Sequence, residues 1–150
     1  MLESMVKGIA DVVYCVAYTF INLLIYFEKF MEVSIYHNPR CSKSRQTLEI
    51  VQKHLESSDL ELRVIEYLKT PPTHQQLDSI LRGLEMQPRD LLRTCEAEYL
   101  EYGLNDESLS RDQLIAAMIS HPKLIERPIV IAGNQIAIGR PPEAIIAILP

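Results

Sequence analysis

The sequence predicts an α/β domain in the order β-α-β, a helical insertion, β-β, then α. Three observations predict it. The apolar run Val33-Ser34-Ile35-Tyr36 leads into a helix-spaced stretch and then a second β-rich run. Near the end of the chain two further β-rich runs flank Gly133-Asn134, a dipeptide suited to a tight hairpin. Between these halves lie apolar residues at helical spacing, opened twice by capping-box signals.

Each element has its own warrant. Residues 33–37 read as a short buried strand. Leu48, Val51 and Leu55 mark a helix over roughly 43–57, which the polar Ser57-Ser58-Asp59 ends. Leu62, Val64 and Ile65 form the second strand, closed by Pro71-Pro72. Thr73-x-x-Gln76 caps a helix with Leu77, Ile80, Leu81 and Leu84 on one face. Pro88 opens a short helix carrying Leu91 and Leu92, where proline's missing donor costs little. Another short helix covers about 96–102 before Gly103. Ser110-x-x-Gln113 caps the next, with Leu114, Ile115, Met118 and Ile119 as its stripe; both stripes read as core rather than cofactor contacts. After the hairpin of 128–139, Pro141-Pro142 start a last helix through Ile145, Ile146 and Leu149.

The 150 residues suffice for one domain with a real core. A net charge of −5 gives no general reason to expect nucleic-acid binding. Cys15, Cys41 and Cys95 are odd in number and widely spaced, so a disulfide scaffold is disfavoured and a reducing, cytoplasmic setting fits. Neither they nor the four histidines show metal-ligand spacing, and no metal is expected. Residues 1–30 stand apart as an apolar leader, and residues 31–150 form the domain. Val12–Phe27 is uncharged but shorter than the roughly 20 residues of a membrane span. The preferred reading is a non-native extension from an upstream start, since Met31 directly precedes the first strand. A membrane anchor or interfacial helix, and a docked extra helix, are the alternatives, so a membrane partner is expected only if residues 1–30 are native. Without them the charge is −4, from 13 basic and 17 acidic residues.

The stretch with the most chemistry is His37-Asn38-Pro39-Arg40-Cys41-Ser42-Lys43-Ser44-Arg45, between the first strand and the first helix. It sets a thiol at a helix N-terminus among basic side chains. Such surroundings lower a thiol pKa from about 8.5 to roughly 3.5–7.5. Thiolate is the nucleophilic form, and the same amides and charges suit an incoming oxyanion.

Together with LLRT at 91–94, ERPIV at 126–130 and IGRPPE at 138–143, this stretch resembles the glutaredoxin-coupled arsenate reductases, over about residues 32–149. The resemblance implies a thioredoxin-like fold with a mixed four-stranded sheet and helices. It implies that Cys41 attacks the arsenic of arsenate while Arg93, Arg127 and Arg140 hold its oxygens. His37, Asn38, Ser44 and Arg45 become candidates for binding substrate or tuning the thiolate. Pro128 is expected to be cis and to face Cys41, aiming Arg127 at the sulfur. Glutathione is implied as co-substrate and glutaredoxin as protein partner, with no bound cofactor. Serine at position 44 leaves no second thiol there, so the electrons must come from outside. The guanidinium fork, charged at any relevant pH, suits a tetrahedral oxyanion.

Plainer roles stand beside these. Arg127 can pair with Glu126 or Glu143, Arg93 and Arg140 can make surface pairs, and His37 can simply hold the loop. Lys43 and Arg45 read as solvated or field-setting charges on the first helix turns. Cys95 reads as a half-buried thiol, with resolution of a Cys41 adduct as the alternative. The motif also departs from the best-known members, with Arg40 where they tend to carry a small residue and Ser42-Lys43 in place of a Gly-Thr type pair. Two other classes share the fold: a glutaredoxin-like thiol transferase, and a redox-linked transcription regulator, which commonly needs the second cysteine that Ser44 replaces.

Overall fold

Strand β1 (Val33–His37) is covered on both faces, and this arranges everything around it. Side chains alternate along a strand. Val33 and Ile35 therefore turn to one side, with Val51, Leu55, Val130 and Ile145. Tyr36 turns to the other, with Leu77, Leu81, Ile115, Met118 and Ile129. The computed structural model describes residues 32–150. The expectation for the leader falls outside the described residues.

Helix α1 (Ser42–Leu55) carries the chain across to β2 (Leu62–Glu66), which lies parallel to β1 with Val33 opposite Leu62. On the other side of β1, β3 (Ile129–Ala132) runs antiparallel with Tyr36 opposite Ile129. β4 (Gln135–Ile138) returns antiparallel to β3 through the turn at Gly133, whose φ of +57° suits glycine. The order is β2-β1-β3-β4, the mixed four-stranded sheet expected of a thioredoxin-like fold. As an edge strand, β2 leaves Val64 44% exposed.

Between β2 and β3 come α2 (His74–Gly83), α3 (Pro88–Leu91), α4 (Ala97–Glu101), α5 (Arg111–Ser120) and a 3₁₀ turn (Pro122–Leu124). Both capping boxes form. Thr73 Oγ1 accepts the Gln76 amide at 3.2 Å while Gln76 Oε1 accepts the Thr73 amide at 2.8 Å. Ser110 and Gln113 repeat the pattern at 3.3 and 2.8 Å. Among the described residues no helix is long and apolar enough to cross a membrane.

The last element differs from expectation. Pro142–Ile148 is a 3₁₀ helix rather than an α-helix. Pro142 and Ile145 are buried and Ile148 packs on the same cluster, whereas Ile146 is 48% exposed. A spacing of three eclipses side chains in a 3₁₀ helix. The buried residues follow that period, and Ile146 falls off the face that the sequence pattern gave it.

Three chain segments meet at the end of the sheet where β1 finishes. His37 ends β1, Pro128 immediately precedes β3, and Gly139 and Arg140 follow β4. Gly139 N donates to Pro128 O at 2.9 Å, joining the last two. The Leu92–Ile125 bridge brings in the segment after α3, with Arg93 N donating to Leu124 O at 2.8 Å. The Arg127-Pro128 bond is cis, as expected, and so is Arg140-Pro141.

Candidate active site

Cys41 occupies the N-cap position of α1, with extended backbone angles (φ −93°, ψ 121°). Its carbonyl accepts the Arg45 amide at 3.0 Å, and its amide donates to Asn38 O at 3.0 Å. The loop that delivers it is tied internally. Asn38 Oδ1 accepts the Arg40 amide at 2.9 Å, and Ser44 Oγ accepts the Asn38 amide at 3.0 Å. Ser44 Oγ also lies 2.9 Å from His37 Nδ1. His37, Asn38 and Ser44 are buried, so this network is sheltered and the sulfur beside it is half-buried.

Burial pushes the Cys41 thiol up. The amides of Ser44 and Lys43 and the Arg127 guanidinium act against it, and together they hold the thiol below its ordinary value. This is the thiolate-favouring helix start that the sequence suggested, with one difference in its parts. Arg127 acts directly on the sulfur, whereas the exposed Arg45 donates from Nη1 to Pro39 O at 2.8 Å and braces the loop. Lys43 contributes its amide, and its side chain is exposed. Burial holds the His37 imidazole below its usual range, with Ser44 and Glu66 partly offsetting this. Above that lowered value the ring is neutral.

The three arginines meet around two carboxylates. Glu96 pairs with Arg93 through Nη1 and lies 3.8 Å from Arg127 Nη2. Glu126 lies 2.6 Å from Arg140 Nε and 4.0 Å from Arg93 Nε. Arg140 Nε also donates to Arg127 O at 2.9 Å. The side chains of Arg93 and Arg127 are each only 13% exposed, and Glu96 only 17%, so these pairs are poorly screened by water. Lys123 Nζ lies 3.7 Å from Glu96 Oε2 and 2.7 Å from Glu98 Oε1, so four cations against three carboxylates leave one net positive charge. Arg127 Nε is buried and has no acceptor among the described residues.

Sequence reasoning missed three residues here. Glu96 is one, and Glu126 appeared only as a partner for Arg127, not for Arg140. Tyr67 is the third. It is 1% exposed, and its hydroxyl accepts from Arg127 Nη1 at 3.5 Å. Burial pushes its phenol up, against the lowering influence of Arg127, so the hydroxyl keeps its proton at neutral pH. No local string in the sequence marks it. The parallel register sets Glu66, the last residue of β2, opposite His37, and Tyr67 follows it at the active edge. Cys95 is exposed, with Arg93 Nη2 3.8 Å from its sulfur.

Comparison with known proteins adds independent information. Residues 36–148 match the ArsC family. The chain is 47% identical over 119 residues to the uncharacterized protein YfgD of Escherichia coli (strain K12), covering 79% of this chain and 97% of that protein. It is 42% identical over 119 residues to an arsenate reductase of Neisseria meningitidis serogroup A, covering 79% of this chain and 98% of the relative. Among solved structures it resembles the arsenate reductase from Vibrio cholerae. That match has a TM-score of 0.72 and 47% identity, covering 79% of this chain and 98% of the other.

Proposed function

The chain belongs to the ArsC family, and from that premise we propose that it is an arsenate reductase working through a Cys41 thiolate, with glutathione and glutaredoxin as reductants. One observation carries the reading. Arg127 acts on the Cys41 sulfur, keeps a buried Nε without an acceptor among the described residues, and shares contacts with Arg93 and Arg140. A buried unpaired donor costs about 1–3 kcal/mol. An oxyanion oxygen bound beside the sulfur supplies the acceptor that Nε lacks.

The chemistry balances with two external thiols. Cys41 Sγ attacks arsenic, forms an S–As bond and displaces a hydroxyl that leaves as water after protonation. The buried, protonated Tyr67 and the arginines stabilise the charge that shifts onto the remaining oxygens. Glutathione then forms a second S–As bond and displaces another hydroxyl as water. A glutaredoxin thiolate attacks the glutathione sulfur, which leaves arsenic. The electron pair of that S–As bond stays on arsenic, taking As(V) to As(III), and a mixed disulfide forms. Water releases arsenite and restores Cys41. Two thiols thus become one disulfide, matching the two electrons required. Ser44 supports this division of labour, since it offers hydrogen bonds rather than a resolving sulfur. A cycle of free thiols belongs in a reducing compartment, and we place the protein in the cytoplasm.

The test is a coupled assay on the full chain with glutathione, glutaredoxin, glutathione reductase and NADPH. Arsenate-dependent NADPH consumption is expected and should vanish in Cys41→Ser. Arsenate turnover that survives this substitution, or faster reduction of a glutathionylated peptide than of arsenate, overturns the reading.

A further inference from the structure

A cleft of about 460 Å³ opens beside the active-site loop, within the roughly 300–1,000 Å³ range of small-molecule pockets. It is larger than a tetrahedral oxyanion needs, and it shares walls with the site described above. Asn38 and Arg40 line it from the loop that holds Cys41, and Arg127, whose charge lowers the Cys41 thiol, lines it as well. A molecule lying in this cleft therefore has a short path to any group carried on Cys41.

Its walls define the ligand class. Arg40, Arg127 and Lys123 face a single acid, Glu98. Lys123 Nζ sits 2.7 Å from Glu98 Oε1, which leaves Arg40 as the cation with least to do. The Arg40 side chain is exposed and makes no ion pair or hydrogen bond among the described residues. Leu68 and Tyr102 are 41% and 44% exposed, and Tyr102 stacks on His121 at a centroid distance of 3.9 Å. Such a surface accepts short methylene and amide segments between anionic ends. We propose that this cleft binds the carboxylate-bearing small thiol that resolves the Cys41 adduct, a peptide thiol of the glutathione class, with Arg40 as its principal carboxylate anchor. The proposal rests on the function assigned above and adds to it the place from which the second thiol comes. That thiol forms its S–As bond from the Arg127 side while a hydroxyl of the adduct leaves as water.

The probe is S-methylglutathione, which cannot react, titrated calorimetrically into the full chain. Binding is expected to weaken several-fold in Arg40→Gln and about tenfold or more in Arg40→Glu. S-methylcysteamine, which lacks carboxylates, should not bind. In turnover, Arg40→Gln should raise the KM for glutathione and leave the KM for arsenate within about twofold. Thermal melts of both variants should match the unmodified protein, because the side chain holds nothing in the fold. Unchanged S-methylglutathione affinity in both variants, or no binding to the unmodified protein, overturns the assignment of the cleft. Absence of arsenate turnover alongside Arg40-dependent binding would overturn the arsenate reading and leave the cleft as a thiol-peptide site.

Discussion

Ser44 Oγ stands 2.9 Å from His37 Nδ1 while accepting the Asn38 amide at 3.0 Å, so one hydroxyl joins the end of β1 to the first turn of α1. The amide takes one of its two lone pairs, which leaves the other and the hydroxyl proton for the imidazole. His37 is held toward its neutral form by burial, and the hydroxyl donates to a bare Nδ1 or accepts from Nδ1–H according to the tautomer. The serine that replaces a second thiol is therefore a clamp on the loop carrying Cys41.

Ser44→Ala should release both bonds and leave the Asn38 amide unpaired in a buried place. The cost expected is about 1–3 kcal/mol. Urea denaturation would show it as a lower midpoint with an unchanged slope. Thiolate reactivity should fall as well, because the Ser44 amide that lowers the Cys41 value sits in the loosened turn. Full stability in Ser44→Ala would mean that the two short contacts contribute nothing net.

The depressed Cys41 thiol has a pH signature. Unfolded, the thiol titrates near 8.5; folded, it gives up its proton at lower pH. Between those values the unfolded chain holds more protons, so this group adds stability as pH rises through the window. The contribution is complete above the unfolded value and lost as pH falls through the folded one. Iodoacetamide alkylation of Cys41 should accordingly reach half-maximal rate below about pH 8.5. Arg127→Gln removes a charge and a hydrogen bond from the sulfur but leaves the burial, so the midpoint should move up. An unmoved midpoint would show that the helix amides suffice.

Glu96 occupies, within the folded chain, a position that an oxyanion would also favour between Arg93 and Arg127. Substrate then competes with an internal carboxylate, and the site is held near one net positive charge. Glu96→Gln keeps the shape and removes the competitor. The KM for arsenate should fall about threefold to tenfold, phosphate should inhibit more strongly, and kcat should drop as the arginines lose their fixed partner. A higher KM would instead assign Glu96 to positioning alone.

The fold and the reactive centre were legible to different depths. Alternation around Val33–Tyr36, the turn at Gly133-Asn134 and the two capping boxes are local signals. They were enough for the strands and for every helix but the last, whose 3₁₀ geometry they missed; the mixed sheet came with the family resemblance. Cys41 and the arginines stood out through short strings in order along the chain. Glu96 and Tyr67 did not, because their roles depend on register. The parallel pairing of β2 with β1 sets Tyr67 at the active edge, and the Leu92–Ile125 bridge brings the Arg93 and Glu126 segments together. Arg45 shows the converse. Its charge suggested a part in binding, yet its guanidinium reaches a backbone carbonyl three dimensions make available and spacing does not.

Gly139 tests how tightly the arginines depend on packing. A Cβ there would stand 2.5 Å from Thr47 Oγ1 and 2.9 Å from Pro128 Cγ, so α1, the residue after Arg127 and the end of β4 converge on a site without room for a methyl group. Gly139→Ala should force these apart, at a cost of about 1–3 kcal/mol. The next residue is Arg140, so the KM for arsenate should rise with the loss of stability. Gly103→Ala provides the contrast. Its φ of +63° makes alanine unfavourable, but an added Cβ meets nothing within 4 Å. It should cost about 1–2 kcal/mol through the backbone alone and leave the KM unchanged. Denaturation midpoints and kinetics on the two variants together separate a local packing fault at the site from a general loss of stability.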